Sequence, residues 1–236
     1  MARRAIVELR EYALHPRYAG EYLKYTREAA PLRKRLFPLR LFSVPETGGE
    51  LNVATHFYHY KDGLDERDEK RSVAATNVEW KEYLKLVRPC MASQKSNIFV
   101  QAPLVENFNL NGFESDHLHP RFGGNSNCIY EIRRYQLVLG YETVPNFLSF
   151  YESGLPAKLD TVAPGTSLVT VIYNEIGSLN EVVEIWRHER GPTGMEESRS
   201  AARNAPAWRK TIGSLAELAV TFTASIHKPQ DFSNYL

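Results

Sequence analysis

Glu8, Arg10 and Tyr12 stand at alternate positions of one short segment, and Glu131, Arg133 and Tyr135 repeat that spacing 123 residues later. A two-residue step puts side chains on one face of an extended strand, so each trio gathers a carboxylate, a guanidinium and a phenol. Asn52, His56 and Tyr58 share a face in a later segment, matched by Asn180, Glu184 and Trp186 at an offset of 128. Groups of these types could orient a small anionic or aromatic ligand, with His56 titrating near neutral pH as acid or base. His56, Arg10, Tyr12, Arg133 and Tyr135 are therefore the candidate catalytic residues. Glu8, Asn52, Glu131, Asn180 and Glu184 complete the candidate ligand contacts. If Val7 and Leu9 face the helices, these polar residues face inward between two sheets. The plainer expectation is structural: the Glu–Arg pairs hold the sheets in register, as buried ion pairs can do.

Other residues offer less. His117 and His119 share one face of an Asn/Gly-rich stretch but lack the further ligands of a metal site, so a solvated loop is expected there. Cys90 and Cys128 cannot complete a zinc site or a disulfide framework, and a reduced, partly buried thiol is expected at each. Arg33-Lys34-Arg35 reads as a solvated helix end. Trp80 and Trp208 read as packing anchors. His56, His59 and His188 qualify as haem ligands by residue type alone. The sequence has no Gly-rich phosphate loop, Ser-His-Asp signature or metalloprotease motif. Neither a cofactor nor a metal is expected.

Length and charge bound the function class. The chain has 236 residues, 29 Lys+Arg against 28 Asp+Glu, and 43% apolar residues. A net charge of +1 argues against general nucleic-acid binding, which needs a basic excess. No apolar run approaches the roughly 20 residues of a membrane span. Met1–Arg4 lead directly into a strand-like run without a secretory apolar region, so secretion is not expected.

The elements that must position these residues come as a repeat. Gly49-Glu50-Leu51-Asn52 aligns with Gly177-Ser178-Leu179-Asn180 at an offset of 128, which also carries Arg71-Ser72 onto Arg199-Ser200 and Trp80 onto Trp208. Pro31 maps onto Pro156 at an offset of 125, and each proline is expected to break a helix in two. In each unit a period of two gives way to a helical face (Tyr18, Tyr22, Tyr25, Ala29, Leu32, Leu36), then to two strands, a helix and a closing strand such as Asn97–Gln101. This is the βαββαβ order. Two such units, each with one bare sheet face, are expected to pack sheet to sheet as an intrachain pseudo-dimeric α/β barrel, an α+β fold. The units are placed at 5–103 and 128–228, with a linker at 104–127 and a tail at 229–236.

Glu-Leu-Arg-Glu-Tyr at 8–12, Glu-Ile-Arg-Arg-Tyr at 131–135 and the His56-Phe57-Tyr58-His59-Tyr60 strand resemble motifs of the NIPSNAP family, as do Arg71 and Trp80 with Arg199 and Trp208. The resemblance spans both units. It implies the dimeric α/β-barrel fold and a binding or scaffold role, with family members tied to mitochondria, vesicle traffic and mitophagy signalling. No catalytic residues come with it. The expected function is thus a non-catalytic scaffold with protein partners, an accessory subunit of a mitochondrial assembly or a homo-oligomer. The alternative is a small-molecule binder or cofactor-independent enzyme, of monooxygenase or isomerase type, with a polar cavity of several hundred Å³ between the sheets. A mitochondrial location is implied by the resemblance. The long N-terminal extension of mitochondrial members is not part of this sequence, so a cytoplasmic location is the alternative.

Overall fold

A computed structural model of the chain describes residues 4–110, 112–113 and 127–233. The first half runs β1 (Ile6–Leu14), α1 (Ala19–Glu28), α2 (Ala30–Leu36), β2 (Leu39–Thr47), β3 (Val53–Tyr60), α3 (Gly63–Thr76), α4 (Val78–Val87) and β4 (Met91–Gln101). A short helix, α5 (Leu104–Asn107), leads out of it. The second half runs β5 (Ile129–Leu137), α6 (Thr143–Leu159), β6 (Thr166–Ile176), β7 (Glu181–His188), α7 (Gly191–Arg203), α8 (Pro206–Leu218) and β8 (Ala219–Pro229). His117 and His119 lie outside the described residues. No described helix is long and apolar enough to cross a membrane.

The eight strands close into one antiparallel barrel in the order β1-β3-β2-β8-β5-β7-β6-β4. Each half contributes four neighbours, and the seams are β2 against β8 and β4 against β6. The α+β pseudo-dimer expected from the repeat is therefore present, joined through its sheet edges as well as its faces. Within each half the register sets Glu8 opposite Tyr58 and Arg10 opposite His56, then Glu131 opposite Trp186 and Arg133 opposite Glu184.

The barrel is filled. Val7, Leu9, Leu41, Phe57 and Phe99 meet Tyr130, Ile132, Ile172, Val183 and Ile185 in one apolar cluster shared by both halves. A polar cavity of about 230 Å³ remains at one mouth, near Thr55, Arg134 and His227. The polar space expected between the sheets is thus replaced through the middle of the barrel by a core. Two further apolar layers pack the helices of each half onto the outer sheet face, with Trp80 buried in one and Trp208 in the other. Asn77 caps α4 by accepting the Trp80 amide at 2.8 Å, which fixes that indole at the helix start.

Two expectations about elements need correction. Pro31 does start a new helix, after Ala29 leaves the helical conformation (φ −86°, ψ 2°). Pro156, however, sits inside an unbroken α6. It stands exposed, so its ring meets solvent, and α6 forgoes one N–H bond yet continues to Leu159, with the Pro156 carbonyl accepting the Asp160 amide at 2.9 Å. The closing strand β4 also begins six residues before Asn97, because Met91–Ser96 is polar and mostly exposed and shows no apolar alternation.

Candidate functional site

Glu8, Arg10 and Tyr12 face the helices, and Val7 and Leu9 face the barrel interior, the reverse of the expected orientation. The partners of Glu8 fix this. Its carboxylate accepts from Arg71 Nη2 at 2.6 Å and Arg67 Nη2 at 3.0 Å, both on α3, and from Ser96 Oγ at 2.8 Å. Arg10 and the Tyr60 hydroxyl add bonds of 3.2 Å. Strand alternation could not choose the face, since both faces of β1 are covered; cations on α3 choose it. Burial alone would raise the Glu8 pKa, but Arg71, then Arg10 and Ser96, bring it from 4.5 down to about 2.

Beside this carboxylate lies a cation the sequence pattern placed in solvent. Arg33, on α2, is 2% exposed and donates to the hydroxyls of Tyr58 (2.6 Å) and Tyr83 (2.5 Å). Its guanidinium lies over the Trp80 ring at 5.0 Å, and no described carboxylate pairs with it. Arg33 follows Tyr22, Thr26 and Ala30 on the buried helix face, and that spacing was the available signal. His56 contacts the hydroxyls of Tyr22 (Nε2, 3.4 Å) and Tyr58 (Nδ1, 3.2 Å). Burial, reinforced by Arg33, Arg10 and Arg71, holds its pKa well below the ordinary value. His56 is therefore a neutral core imidazole at pH 7, and the expected acid–base role near neutrality does not fit it.

The second half rebuilds the frame with different chemistry. Glu131 accepts from Arg133 Nε at 2.6 Å, from Arg199 on α7 and from His188 Nε2 at 3.1 Å. Glu184 takes the position of His56 and accepts from Arg133 (3.0 Å), Tyr135 (3.0 Å) and Tyr151. Lys158, at the 125-residue offset from Arg33, is 2% exposed. Its ammonium donates to the Ser198 carbonyl at 3.3 Å and lies 5.1 Å from the Trp186 ring centroid. Burial first, then Arg133, lowers its pKa from 10.5 to about 8.

The candidate residues thus form two clusters, one per half, each between sheet and helices. Asn52 and Asn180 belong to neither. Their carbonyls accept the amides of Leu14 and Leu137, which ties each hairpin turn to the neighbouring strand end, and Asn52 takes the left-handed backbone at φ 58°. His56 and His188 have both ring nitrogens engaged, so neither presents a ready axial ligand.

In the second half the layer between sheet and helices opens into a cleft of about 400 Å³. Arg133 and Lys158 reach it from the sheet and α6, Arg199 and Arg203 from α7, and Arg209 from α8. Trp208, Ile212 and Phe222 supply its apolar walls, and among the described residues no carboxylate lines it. Arg133 and Arg199 are already paired with Glu131, while the exposed Arg203 and Arg209 make no ion pair with a described residue. A site of this kind can hold an aromatic ring against indole and phenyl while guanidiniums meet its negative charge. Arg203, Arg209 and Lys158 lie on helices outside the strand motifs; the 125-residue offset that matches Lys158 to Arg33 is the signal the sequence holds for it. A second, open groove of about 790 Å³ runs past Leu139, Tyr141, Leu148 and Leu179, with Glu152 and Glu175 on its rim.

The NIPSNAP family profile matches residues 7–105 and 130–234, most of both halves. The chain belongs to the NIPSNAP family. No curated protein matches it. Among solved structures, a protein from Fusobacterium nucleatum described as a "putative monooxygenase" has a TM-score of 0.66 at 10% identity, covering 97% of this chain and 94% of its own. A protein from Lactobacillus acidophilus with the same description gives a TM-score of 0.59 at 10% identity, over 96% and 94% of the two chains. An anthrone oxidase-like protein gives 0.57 at 9% identity, over 96% and 92%. At such identities the likeness establishes the fold alone. This NIPSNAP chain therefore shares a tandem α/β-barrel architecture with those proteins along nearly its whole length.

Proposed function

We propose that this NIPSNAP chain binds a small aromatic anion in the cleft of its second half and acts on it without a cofactor, by chemistry of the monooxygenase or isomerase type. One observation carries the reading: a cleft of about 400 Å³ has five cationic side chains, an indole and a phenyl on its walls and, among the described residues, no carboxylate. A volume of that size is ordinary for a small-molecule site. The full-length neighbours described as monooxygenases or as anthrone oxidase-like support the reaction class. In the first half Arg33 is bound by phenols and Glu8 by guanidiniums, an arrangement suited to holding sheet and helices together.

Calorimetric titration with 1-hydroxy-2-naphthoate, and with neutral 1-naphthol as its uncharged counterpart, tests this. The anion is expected to bind one per chain and at least about tenfold tighter than the phenol, a difference of roughly 1.4 kcal/mol. Arg209→Glu is expected to remove most of that preference, and added salt to weaken it. Equal affinity for both compounds, or an anion affinity indifferent to Arg209→Glu, overturns the reading.

A second reading, a scaffold with protein partners in a mitochondrial assembly, is favoured by the open groove. Leu139, Tyr141 and Leu179 are largely exposed along it, the kind of apolar patch that marks contact surfaces. Native mass spectrometry of material isolated from its source checks it: a defined complex lost in Leu139→Asp supports a partner, and a lone chain of 27.0 kDa opposes one.

A further inference from the structure

Lys158 is the buried titratable group of the cleft that the ion-pair network leaves unused. Its ammonium has three N–H donors and one described acceptor, the Ser198 carbonyl at 3.3 Å. The groups facing it are Arg133 and Glu131 from β5, Glu184 and Trp186 from β7, and Arg199 from α7. Both carboxylates among them are already held, Glu131 by Arg133, Arg199 and His188, and Glu184 by Arg133 and two tyrosines. No described carboxylate bonds the amine, so burial first, and then Arg133, favour its neutral form.

We propose that Lys158 is the catalytic base of the cleft, removing a proton from an aromatic anion that can enolise or ionise a phenol, and that the first half has no counterpart to this step. The proposal rests on the reading of the cleft as a ligand site. In the step, the nitrogen lone pair forms a new N–H bond as a C–H or O–H bond of the ligand breaks. The bonding pair stays on the ligand as an enolate or phenolate, and the ammonium later returns the proton to the ligand or to water. Arg133, Arg203 and Arg209 stabilise the anion that develops. The corresponding residue of the first half is Arg33, a guanidinium that stays protonated throughout the working pH range and cannot accept a proton. Duplication has thus left one half with a permanent cation and the other with one that titrates. With the Lys158 pKa near 8, the amine is mainly protonated at neutral pH and becomes available just above it.

Phenylpyruvate is an anionic aromatic probe whose enolisation needs nothing but proton transfer. Deuterium uptake at its methylene, followed by proton NMR on the full chain, reads the step directly. The wild-type protein is expected to bind it saturably and to exchange it faster than buffer, with kcat/KM rising to a plateau above about pH 8. Lys158→Arg, which copies the residue already accommodated in the first half, is expected to keep the Kd within about threefold and to lose exchange by about 100-fold or more. Lys158→Met serves as a second variant without a base. Saturable binding with wild-type exchange in both variants, or binding without exchange in the wild type, overturns the role of Lys158 while leaving the cleft as a ligand site. Absence of saturable binding by the wild type overturns the cleft reading and this proposal together.

Discussion

Replacing Glu8 by Gln leaves Arg10, Arg67 and Arg71 gathered around a neutral amide. Breaking such a buried ion set from one side costs on the order of 3–5 kcal/mol, so Glu8→Gln is expected to lower the urea midpoint sharply. The same carboxylate shapes the acid limb. Its pKa falls from 4.5 to about 2 on folding, so its contribution is complete above pH 4.5 and is lost as pH drops towards 2. Linkage puts this on the order of 3 kcal/mol. His227, lowered by burial and then by Arg134 from 6.5 to about 3, begins to cost stability earlier, as pH falls below 6.5. Lys158 acts on the alkaline limb. The folded chain releases its proton near pH 8 and the unfolded chain near 10.5, so stability rises across that interval, a rise that Lys158→Met should flatten in equilibrium unfolding at fixed pH. At this scale the trios Glu8–Arg10–Tyr12 and Glu131–Arg133–Tyr135 could be read as clusters from spacing alone. Which way they faced could not, because helices cover one side of each strand and the opposite sheet covers the other. Arg33 and Lys158 were hidden for a related reason: in an isolated sequence a cation near a helix end looks solvated, and a ring of phenols or an indole that holds it inside becomes visible once the chain is folded.

Helix α6 crosses α8 at Gly154, where a Cβ would stand 2.0 Å from Thr211 Oγ1 and 2.6 Å from its Cβ. Gly154→Ala is therefore expected to cost about 1–3 kcal/mol by overpacking, even though alanine is the better helix former. Thr211→Ala removes the nearest atom, so thermal melts of the two single variants and the double should show favourable coupling. Independent, additive losses would contradict this packing. The order of elements was legible because it occurs twice: the offset from Gly49 to Trp80 transfers a strand, a helix and an indole intact. Pro156 shows the limit. The same residue stands at a helix break at position 31 and inside an unbroken helix at 156, so residue type alone does not locate the break. Residues 91–96 mark another limit, since a polar, exposed stretch of strand has no apolar rhythm to read.

The whole molecule is held by a core that neither half owns. Val7, Leu9, Phe57 and Phe99 pack against Ile132, Ile172, Val183 and Ile185 across the barrel, and both sheet edges of each half are paired to the other. A half made alone would expose that apolar face and two strand edges, so it is expected to aggregate or self-associate. Co-expression of the two halves should restore one complex in gel filtration; independent, soluble monomeric halves would contradict the shared core. Closing the barrel with apolar residues also moves the space for small molecules outward, to the layer beneath the helices. There the halves diverge, and the second combines two guanidiniums, Arg203 and Arg209, that pair with no described carboxylate, an aromatic wall and a titratable lysine. The central claim is tested most directly by a crystal structure of the chain grown with 1-hydroxy-2-naphthoate. One molecule with its ring against Trp208 and Phe222 and its carboxylate towards Arg203 or Arg209 is the predicted result. A ligand bound along Leu139 and Leu179, with the cleft of the second half closed by its own side chains, would contradict it.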